Sequence, residues 1–290
     1  MVSFKGLATL LFGKIVDRYA SIFSTVKKNI PKADIKVPFR TYVSTAIFIS
    51  IIVYFISLFF FLTILHIFNY SLILMMAFSF SVSAIVAVFN FIALIYYPAN
   101  KVAVRRKNIE KNLPFALMHI RSVAESGINP YAIFKLVSKF EEYGDVAKEM
   151  EKIAKGMENL GIDPLTAIRQ VANRSPSDEL RQFLLGFVTT VESGGDIKTF
   201  LKNTAQEALF KWRTHRERFM QQLSVFAEFY VGIVIAAPLF IISLFAVMSI
   251  IQPTIAGYSM LALTKLGVYG AIPILNIAFL LFLRGMEVEI

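Results

Sequence analysis

The sequence predicts an all-α, polytopic membrane protein in which two transmembrane hairpins flank a cytoplasmic six-helix bundle. Its mean hydropathy of +0.62 and its 56% hydrophobic content are too apolar for a soluble protein. The apolar residues gather in two pairs of long runs, within residues 43–97 and 223–284. Each run is long enough to cross ~30 Å of bilayer hydrocarbon. The polar stretch at 98–222 keeps the spacing of amphipathic helices instead.

Residues 1–42 are expected to form a cytoplasmic amphipathic segment. The segment holds eight basic residues against two acids, and its apolar run at 7–13 is followed by charges without a convincing cleavage site. We expect a retained helix on the inner membrane face. Packing of this helix on the protein's own helices is an equally open alternative. The side chains expected to face lipid are Leu10, Leu11, Ile15 and Ile22 or Phe23.

The first hairpin, at 43–97, consists of two apolar runs separated only by Asn69 and Tyr70. Such a short turn requires antiparallel spans. Pro98 and Asn100 are predicted to end the second span, and a basic cluster follows. The 20 Lys and Arg in residues 101–218, together with the eight near the N-terminus, make up 28 of the 30 in the chain. This bias places both groups in the cytoplasm and explains the net charge of +10 without a nucleic-acid partner.

Glycines divide the polar block at 98–222 into helices. Gly127, Gly161 and Gly195 are 34 residues apart. Asparagine or aspartate follows each glycine closely and marks a helix start. The starts are Asn129 with Pro130, Asp163 with Pro164, and Asp196.

Apolar residues between these marks recur at helical spacing and predict one shared core of six amphipathic helices. The six stripes are Leu113, Ala116, Leu117, Ile120 and Ala124; Ile133, Leu136, Val137 and Phe140; Val146, Met150, Ile153, Met157 and Leu160; Leu165, Ile168 and Val171; Leu180, Leu184, Phe187 and Val191; and Ile197, Leu201, Ala205 and Leu209.

The second hairpin, at 223–284, has a short outer loop that contains Pro253, and a cytoplasmic tail follows at 285–290. Both termini are therefore expected in the cytoplasm. The sixth helix is predicted to run into the third span without a break, and Pro238 is expected to interrupt and bend that span. Glu228 is expected to pair with Arg284 and lock the hairpin, with a proton-relay role as the alternative.

No enzymatic chemistry is predicted. The chain has no cysteine, which removes thiolate nucleophiles and sulfur ligands for metals. A Gly-rich phosphate loop ending in Lys-Ser/Thr is absent from the sequence. The three histidines lie far apart in the sequence, without metal-ligand spacing. We therefore expect no catalytic residue, no cofactor and no metal, and an energy source outside this chain.

Several motifs in order resemble the type II secretion F domain, the domain of membrane platform proteins in type IV pilus, type II secretion, Tad pilus and archaellum machines. The resemblance covers about residues 101–245 and is greatest to the archaeal branch. The motifs are Asn112-Leu113-Pro114-Phe115-Ala116-Leu117, Glu125-Ser126-Gly127, Gly161-Ile162-Asp163-Pro164, Ser175-Pro176-Ser177, Ser193-Gly194-Gly195-Asp196, Glu228-Phe229-Tyr230 and Pro238-Leu239-Phe240.

The resemblance implies a cytoplasmic bundle that contacts a hexameric secretion ATPase, and membrane spans that contact pilin or pilin-like subunits. The ATPase would move the platform so that pilins leave the membrane and join the filament. Many members carry two such domains, whereas this chain has one. It is therefore expected to form a homo-oligomer, to pair with a sister platform protein, or to be half of a longer chain.

Two other functions stay open at this stage. A tetratricopeptide array has the 34-residue period, but its Trp, Leu-Gly and Tyr positions are missing. A small membrane transporter or a scaffold unrelated to filaments is the remaining alternative. It is disfavoured because the spans contain few polar residues and no broken helices around a midplane site.

Exposed charges near the glycine turns are the expected contacts of the ATPase or another partner, and a merely solvated face is the alternative for each. These residues are Arg121, Glu125, Lys198, Arg213, Arg216 and Arg218. The residues expected to shape the fold or couple its parts are Gly127, Pro130, Gly161, Pro164, Pro176, Gly194, Gly195, Asp196, Glu228, Pro238 and Arg284.

Overall fold

The computed structural model describes residues 4–67, 71–159, 161–252, 254–255 and 257–287. Helices make up nearly all of this part of the chain. The helices are α1 (Phe4–Arg18), α2 (Ser24–Lys32), α3 (Phe39–Ile67), α4 (Leu72–Glu125), α5 (Pro130–Val137), α6 (Asp145–Asn159), α7 (Pro164–Arg174), α8 (Asp178–Glu192), α9 (Ile197–Phe229), α10 (Ala237–Ile251), α11 (Met260–Leu266) and α12 (Ile272–Glu287). The predicted turn at Asn69 and Tyr70, the core position Leu160 and the loop proline Pro253 lie outside the described residues.

Four helical stretches of the described chain are long and apolar enough to cross a membrane, and few of their apolar residues are buried. Such surfaces are stable in contact with lipid. The predicted all-α polytopic class is confirmed. The four stretches are Phe39–Ile67, Leu72–Glu125, Ile197–Ile251 and Met260–Gly285.

The second membrane helix does not end at Pro98. Helix α4 is 54 residues long in total and runs through both Pro98 and Pro114. Its second half is the first helix of the bundle. The helix therefore continues past Pro98 and Asn100, and the end of the membrane span at these residues stays a prediction. Proline lacks an N–H, so Pro98 leaves the carbonyl of Leu94 without its usual helical donor. The hydroxyl of Tyr42 on α3 donates to that carbonyl at 2.8 Å and replaces the missing hydrogen bond.

The six-helix bundle consists of the second half of α4, helices α5 to α8, and the start of α9. Its core contains the predicted stripe of α4 and most of the stripes predicted for the other helices. Leu136, Phe140 and Leu209 are only half-buried. Sequence reasoning omitted several core residues that lie beside the stripes, and burial of each large one contributes about 1.5–3 kcal/mol. They are Ile109, Phe134, Ala172, Phe183 and Val188.

The N-terminal helices pack on the first hairpin. Val16 of α1 and Val26 and Ile30 of α2 form a second small core with Val43 of α3. The opposite face of α1 and residues 19–22 leave apolar side chains exposed. Packing on the protein's own helices is therefore observed, and contact of this segment with the membrane face stays a prediction. The exposed side chains include Leu10, Leu11, Ile15 and Ile22. Phe23 is instead half-buried, with its ring 6.4 Å from that of Phe91.

The chain divides into two compact units, Met1–Leu209 and Phe210–Ile290, and the boundary falls within α9. The predicted absence of a break between the sixth bundle helix and the third span is observed, because helix is continuous over Ile197–Ile251. A π-helical stretch, Tyr230–Ala236, directly precedes Pro238. Its wider turns accommodate the missing proline N–H. The predicted interruption is present, and the bend stays a prediction.

The second unit contains the second hairpin. Strands β1 (Thr254–Ile255) and β2 (Tyr258–Ser259) pair in its outer loop. The predicted ion pair between Glu228 and Arg284 does not form, because both side chains are exposed and neither has an ion-pair partner in the described part of the chain. A different polar contact joins the two helices: the hydroxyl of Tyr230 donates to Asn276 Oδ1 at 3.0 Å.

Candidate partner surface and a buried charged joint

The first glycine turn ends α4 and begins α5. Gly127 has φ +80°, a left-handed conformation that glycine adopts without a steric penalty. The side chain of Asn129 then accepts a hydrogen bond of 2.9 Å from the backbone N–H of Tyr131. This cap and the proline at position 130 begin α5 as predicted.

The second turn follows the same chemistry. Gly161 has φ +61°. Asp163 Oδ2 accepts hydrogen bonds from the backbone N–H of Thr166 at 3.1 Å and from its hydroxyl at 3.2 Å. Helix α7 begins at Pro164. Between α7 and α8, Pro176 is buried, and the adjacent Ser177 caps α8.

In the third turn, the left-handed glycine lies one position earlier than the 34-residue interval predicts. Gly194, not Gly195, has the left-handed φ of +67°. Asp196 Oδ1 then accepts from the backbone N–H of Lys198 at 2.9 Å. The pKa of Asp196 is lowered mainly by a hydrogen bond from the Thr199 hydroxyl and further by backbone N–H groups at the helix start. The even 34-residue interval therefore does not describe three equivalent positions.

Charged residues near the first and third turns interact. Arg121 Nε lies 2.9 Å from Glu125 Oε1, one helical turn along α4. Arg121 lowers the pKa of Glu125 through this hydrogen bond and its charge, and Lys202 of α9 lowers it further. Lys198 is exposed nearby on the first turn of α9. Charges of both signs therefore line this end of the bundle, and their contact with a partner stays a prediction.

The predicted arginine row lies in the second unit. Arg213, Arg216 and Arg218 are all exposed on α9. The guanidinium of Arg216 lies 5.8 Å from the ring centroid of Trp212, at a distance that allows a cation–π contact. Glu217 lies between Arg216 and Arg218, and the role of the three arginines as a contact surface stays a prediction.

The structure also contains a buried ionic cluster that sequence reasoning missed. Arg105 of α4 has only 6% of its side chain exposed. Its guanidinium hydrogen-bonds Glu149 of α6, whose side chain is 2% exposed, and lies 3.5 Å from Asp145. Arg105 Nη1 also donates to the backbone carbonyl of Lys32 at 2.6 Å. One cation therefore joins α4, α6 and the end of α2.

Lys152 extends this cluster to the N-terminal segment. Its ammonium group lies 3.0 Å from Glu149 Oε1 and 2.9 Å from Asp34 Oδ1. Burial raises the pKa of Asp34, but the hydrogen bond and charge of Lys152, with the charge of Arg105, lower it more, so the net shift is downward. We call Arg105, Asp145, Glu149, Lys152 and Asp34 the charged joint.

The backbone holds Asp34 in position for this contact. Asp34 has φ +55°, and the N–H of Ile35 bonds the carbonyl of Ile30 at 3.2 Å. The N–H of Asp34 bonds the carbonyl of Pro31 at 3.3 Å. This pair of hydrogen bonds is the helix-ending motif that normally has glycine at the left-handed position. An aspartate there accepts some strain and places a carboxylate against α6.

A sequence signal for the joint existed. Glu149 lies within the apolar stripe of α6, between Val146 and Ile153, and Arg105 lies four residues before the buried Ile109. A charge on a buried helix face requires a partner of opposite sign. In the sequence, Arg105 belongs to the basic cluster that follows the second span, and sequence does not show which helices meet.

His119 has a packing role in the bundle. Its Nδ1 lies 3.1 Å from the hydroxyl of Tyr143, and its ring packs edge-on against Phe140. Within the described ranges no group of three or more side chains is placed to hold a metal. The expected absence of a cofactor and of catalytic residues stays a prediction.

Comparison with known proteins gives one family match. Residues 116–245 match the protein family described as type II secretion system (T2SS), protein F. These residues begin in α4 within the bundle and end in α10. No solved structure matches the chain.

Curated relatives come from methanogenic archaea. An uncharacterized protein of Methanocaldococcus jannaschii is 25% identical over 195 residues, 66% of this chain and 33% of its own length. Flagella accessory protein J of the same organism is 24% identical, over 61% of this chain and 31% of its own. Flagella accessory protein J of Methanococcus voltae is 23% identical, over 60% and 30%. The chain thus spans about a third of the length of these relatives.

Proposed function

Because this chain belongs to the family of type II secretion system protein F through residues 116–245, we propose that it is a membrane platform protein of a type IV pilus-like filament machine. Relatives named for a flagellar accessory role favour an archaellum-like or pilus-like filament over a general secretion pore. The platform itself hydrolyses nothing. It transmits movement that an ATPase generates.

Helix α4 is the observation that carries this proposal. Its 54 residues are the second membrane helix and also the first helix of the bundle. At 1.5 Å per residue it extends about 80 Å. Tyr42 supplies the hydrogen bond that Pro98 removes, so the membrane half and the bundle half are not separated by a hinge at the proline. A displacement of the bundle is then carried into the bilayer.

The charged joint provides a second connection. Arg105 and Lys152 tie the end of α2 to α6, and α2 in turn packs on α3 and α4. The first hairpin is therefore held to the bundle through α4 and through the N-terminal segment. Two connections resist twisting of the bundle against the hairpin better than one, which suits a part that transmits torque.

We propose the following partners and orientation. The bundle lies in the cytoplasm with both termini, as the basic residues of the N-terminal segment and the bundle favour. A hexameric secretion ATPase binds the bundle, and the membrane helices contact lipid and the apolar segments of pilin-like subunits. The chain acts as a homo-oligomer or with a sister platform protein, and it binds no nucleic acid.

Charge reversal tests the proposed contact with the ATPase. The full chain in membranes is incubated with the secretion ATPase of the same organism, and co-purification is measured. Reversal of the arginine row should abolish co-purification while membrane insertion persists. The matched control reverses Lys27, Lys28 and Lys111, which are also exposed, and it should bind normally. Equal binding by both variants would remove the arginine row from the contact surface.

Loss and transport assays test the function itself. Deletion of the gene should abolish filaments, and the full chain should restore them. The purified chain in liposomes should neither hydrolyse ATP nor move labelled solutes. Solute uptake by the liposomes would favour the transporter instead, and normal filaments after deletion would refute the platform.

A further inference from the structure

The N-terminal helix α1 runs antiparallel to the start of the first membrane helix. Asp17 lies 3.3 Å from Arg40, and the ring of Phe12 lies 6.4 Å from that of Phe48. Earlier residues of α1 therefore meet later residues of α3. Since a helix rises 1.5 Å per residue, Phe12 lies about 7 Å deeper along α3 than Asp17. This arrangement directs the first half of α1 toward the hydrocarbon.

The free face of α1 matches that position. Leu10 is 76% exposed and Leu11 is 61% exposed, and Leu7 and Ile15 are exposed beside them. Helix α3 likewise has exposed apolar side chains, among them Phe55 and Ile56 further along. Apart from Lys5 near its start, the charged residues of α1 lie at Lys14 and beyond. Headgroups therefore lie at the height of Lys14 and Arg40.

A cleft of about 580 Å³ opens between the two helices at this height. Two cationic side chains and two hydroxyl-bearing side chains line it together with small or apolar residues. The lining residues are Gly6, Thr9, Leu10, Lys14, Arg40 and Thr41. Lys14 has no acidic partner within the described residues. Arg40 has Asp17, but both side chains of that pair are about half exposed, at 49% and 57%. One positive charge in excess thus faces the cleft.

Gly13 allows the Arg40 guanidinium to enter between the helices. A Cβ atom at position 13 would lie 2.6 Å from Arg40 Nε and 2.7 Å from Nη2. Any larger residue would therefore displace the guanidinium. The cation is positioned by the shape of α1 as well as by Asp17.

We propose that this cleft binds the phosphate group of an anionic membrane lipid. Lys14 and Arg40 are the cations that bind the phosphate, and Thr9 and Thr41 also line the cleft. The acyl chains lie along the exposed leucines of α1 and the adjacent face of α3. Lipid is the occupant because the cleft opens at headgroup height between two lipid-facing helices. The bound lipid holds α1 in the inner leaflet. This inference is independent of the proposed filament function.

Native mass spectrometry of the full, delipidated chain in detergent tests this site. The probes are phosphatidylglycerol and phosphatidylcholine with identical acyl chains. The wild type should retain phosphatidylglycerol in preference. Lys14→Gln and Arg40→Gln should each weaken that binding by about tenfold, because each removes charge-assisted hydrogen bonds. Gly13→Ala, which changes no charge, should weaken it as well.

The matched control is the pair Lys27→Gln and Lys28→Gln, two exposed cations on α2 outside the cleft. The control should keep the lipid preference. Thermal unfolding without added lipid should be similar for all variants, which separates lost binding from lost folding. An unchanged preference in the double variant of Lys14 and Arg40 would overturn the proposal. Equally tight binding of soluble glycerol phosphate would also overturn it, since the site would then take a free anion.

Discussion

Removal of the cation at the centre of the charged joint is the sharpest perturbation of the fold. In Arg105→Met, a linear apolar side chain replaces the guanidinium that contacts Glu149, Asp145 and the Lys32 carbonyl. Methionine fills most of the same volume, so the variant tests charge more than packing. Glu149 is then left 2% exposed without its closest cation.

The expected cost follows from burial. Removing one partner of a buried ion pair costs about 3–5 kcal/mol, because the remaining charge stays desolvated. Lys152 still lies 3.0 Å from Glu149 Oε1 and compensates in part. We therefore expect a destabilisation at the lower end of this range, about 3 kcal/mol. A loss of this size accelerates amide exchange through local opening by roughly a hundredfold.

Hydrogen–deuterium exchange of the full chain in detergent measures this effect. Peptides of α6 should exchange roughly a hundredfold faster in Arg105→Met than in the wild type. Peptides that cover α2 should also exchange faster, because Arg105 donates to the carbonyl of Lys32. The double variant Arg105→Met with Glu149→Met should recover most of the protection, since it leaves no unpaired buried carboxylate.

The neighbouring arginine is the matched control. Arg106 is half exposed and pairs with Glu110 one helical turn away. Such surface pairs contribute about 0.3–0.5 kcal/mol. Arg106→Met should therefore leave α6 exchange within about threefold of the wild type. Similar exchange in the variants at 105 and 106 would refute the claim that the joint fixes α2 against α6.

Three further substitutions each have a defined outcome. Asp34→Asn tolerates the same backbone and should lower stability by at most about 1 kcal/mol, because the side chain is half exposed. The pKa of Asp34 is lowered in the fold. The Asp34 carboxylate therefore adds to the free energy of unfolding above about pH 4, and this added stability should be lost when unfolding is measured at lower pH. Gly127→Ala should cost about 1–2 kcal/mol in thermal unfolding, since φ is +80° with open space around it, whereas Gly232→Ala within a helix should be neutral. Tyr42→Phe should cost about 1–3 kcal/mol and accelerate α4 exchange near the proline, whereas Tyr54→Phe, whose hydroxyl has no partner, should not.

The parts of the fold that sequence predicts are those set by local chemistry. The glycine turn at 127 and the cap at Asn129 depend on residues within a few positions of each other, and the structure forms them as predicted. The apolar stripes likewise follow from helical periodicity. The third turn shows the limit of this approach, because the choice between Gly194 and Gly195 depends on where α8 ends.

The parts that sequence misses depend on contacts between distant segments. The continuation of α4 through Pro98 depends on Tyr42, which lies in another helix. The charged joint depends on Arg105, Glu149 and Asp34, which no spacing in the sequence brings together. The pair predicted between Glu228 and Arg284 failed for the same reason, since similar depth in the membrane does not establish contact.

The central claim is that a stiff α4 transmits movement between the bundle and the membrane. A Gly-Ser-Gly-Gly insertion between Ala99 and Asn100 tests this claim most directly, because it places a flexible joint just beyond Pro98. The same insertion at Gly257, in the outer loop, is the control. Filaments should be lost only with the insertion in α4, while that variant still enters the membrane and co-purifies with the ATPase. Normal filaments from the α4 variant would contradict the account.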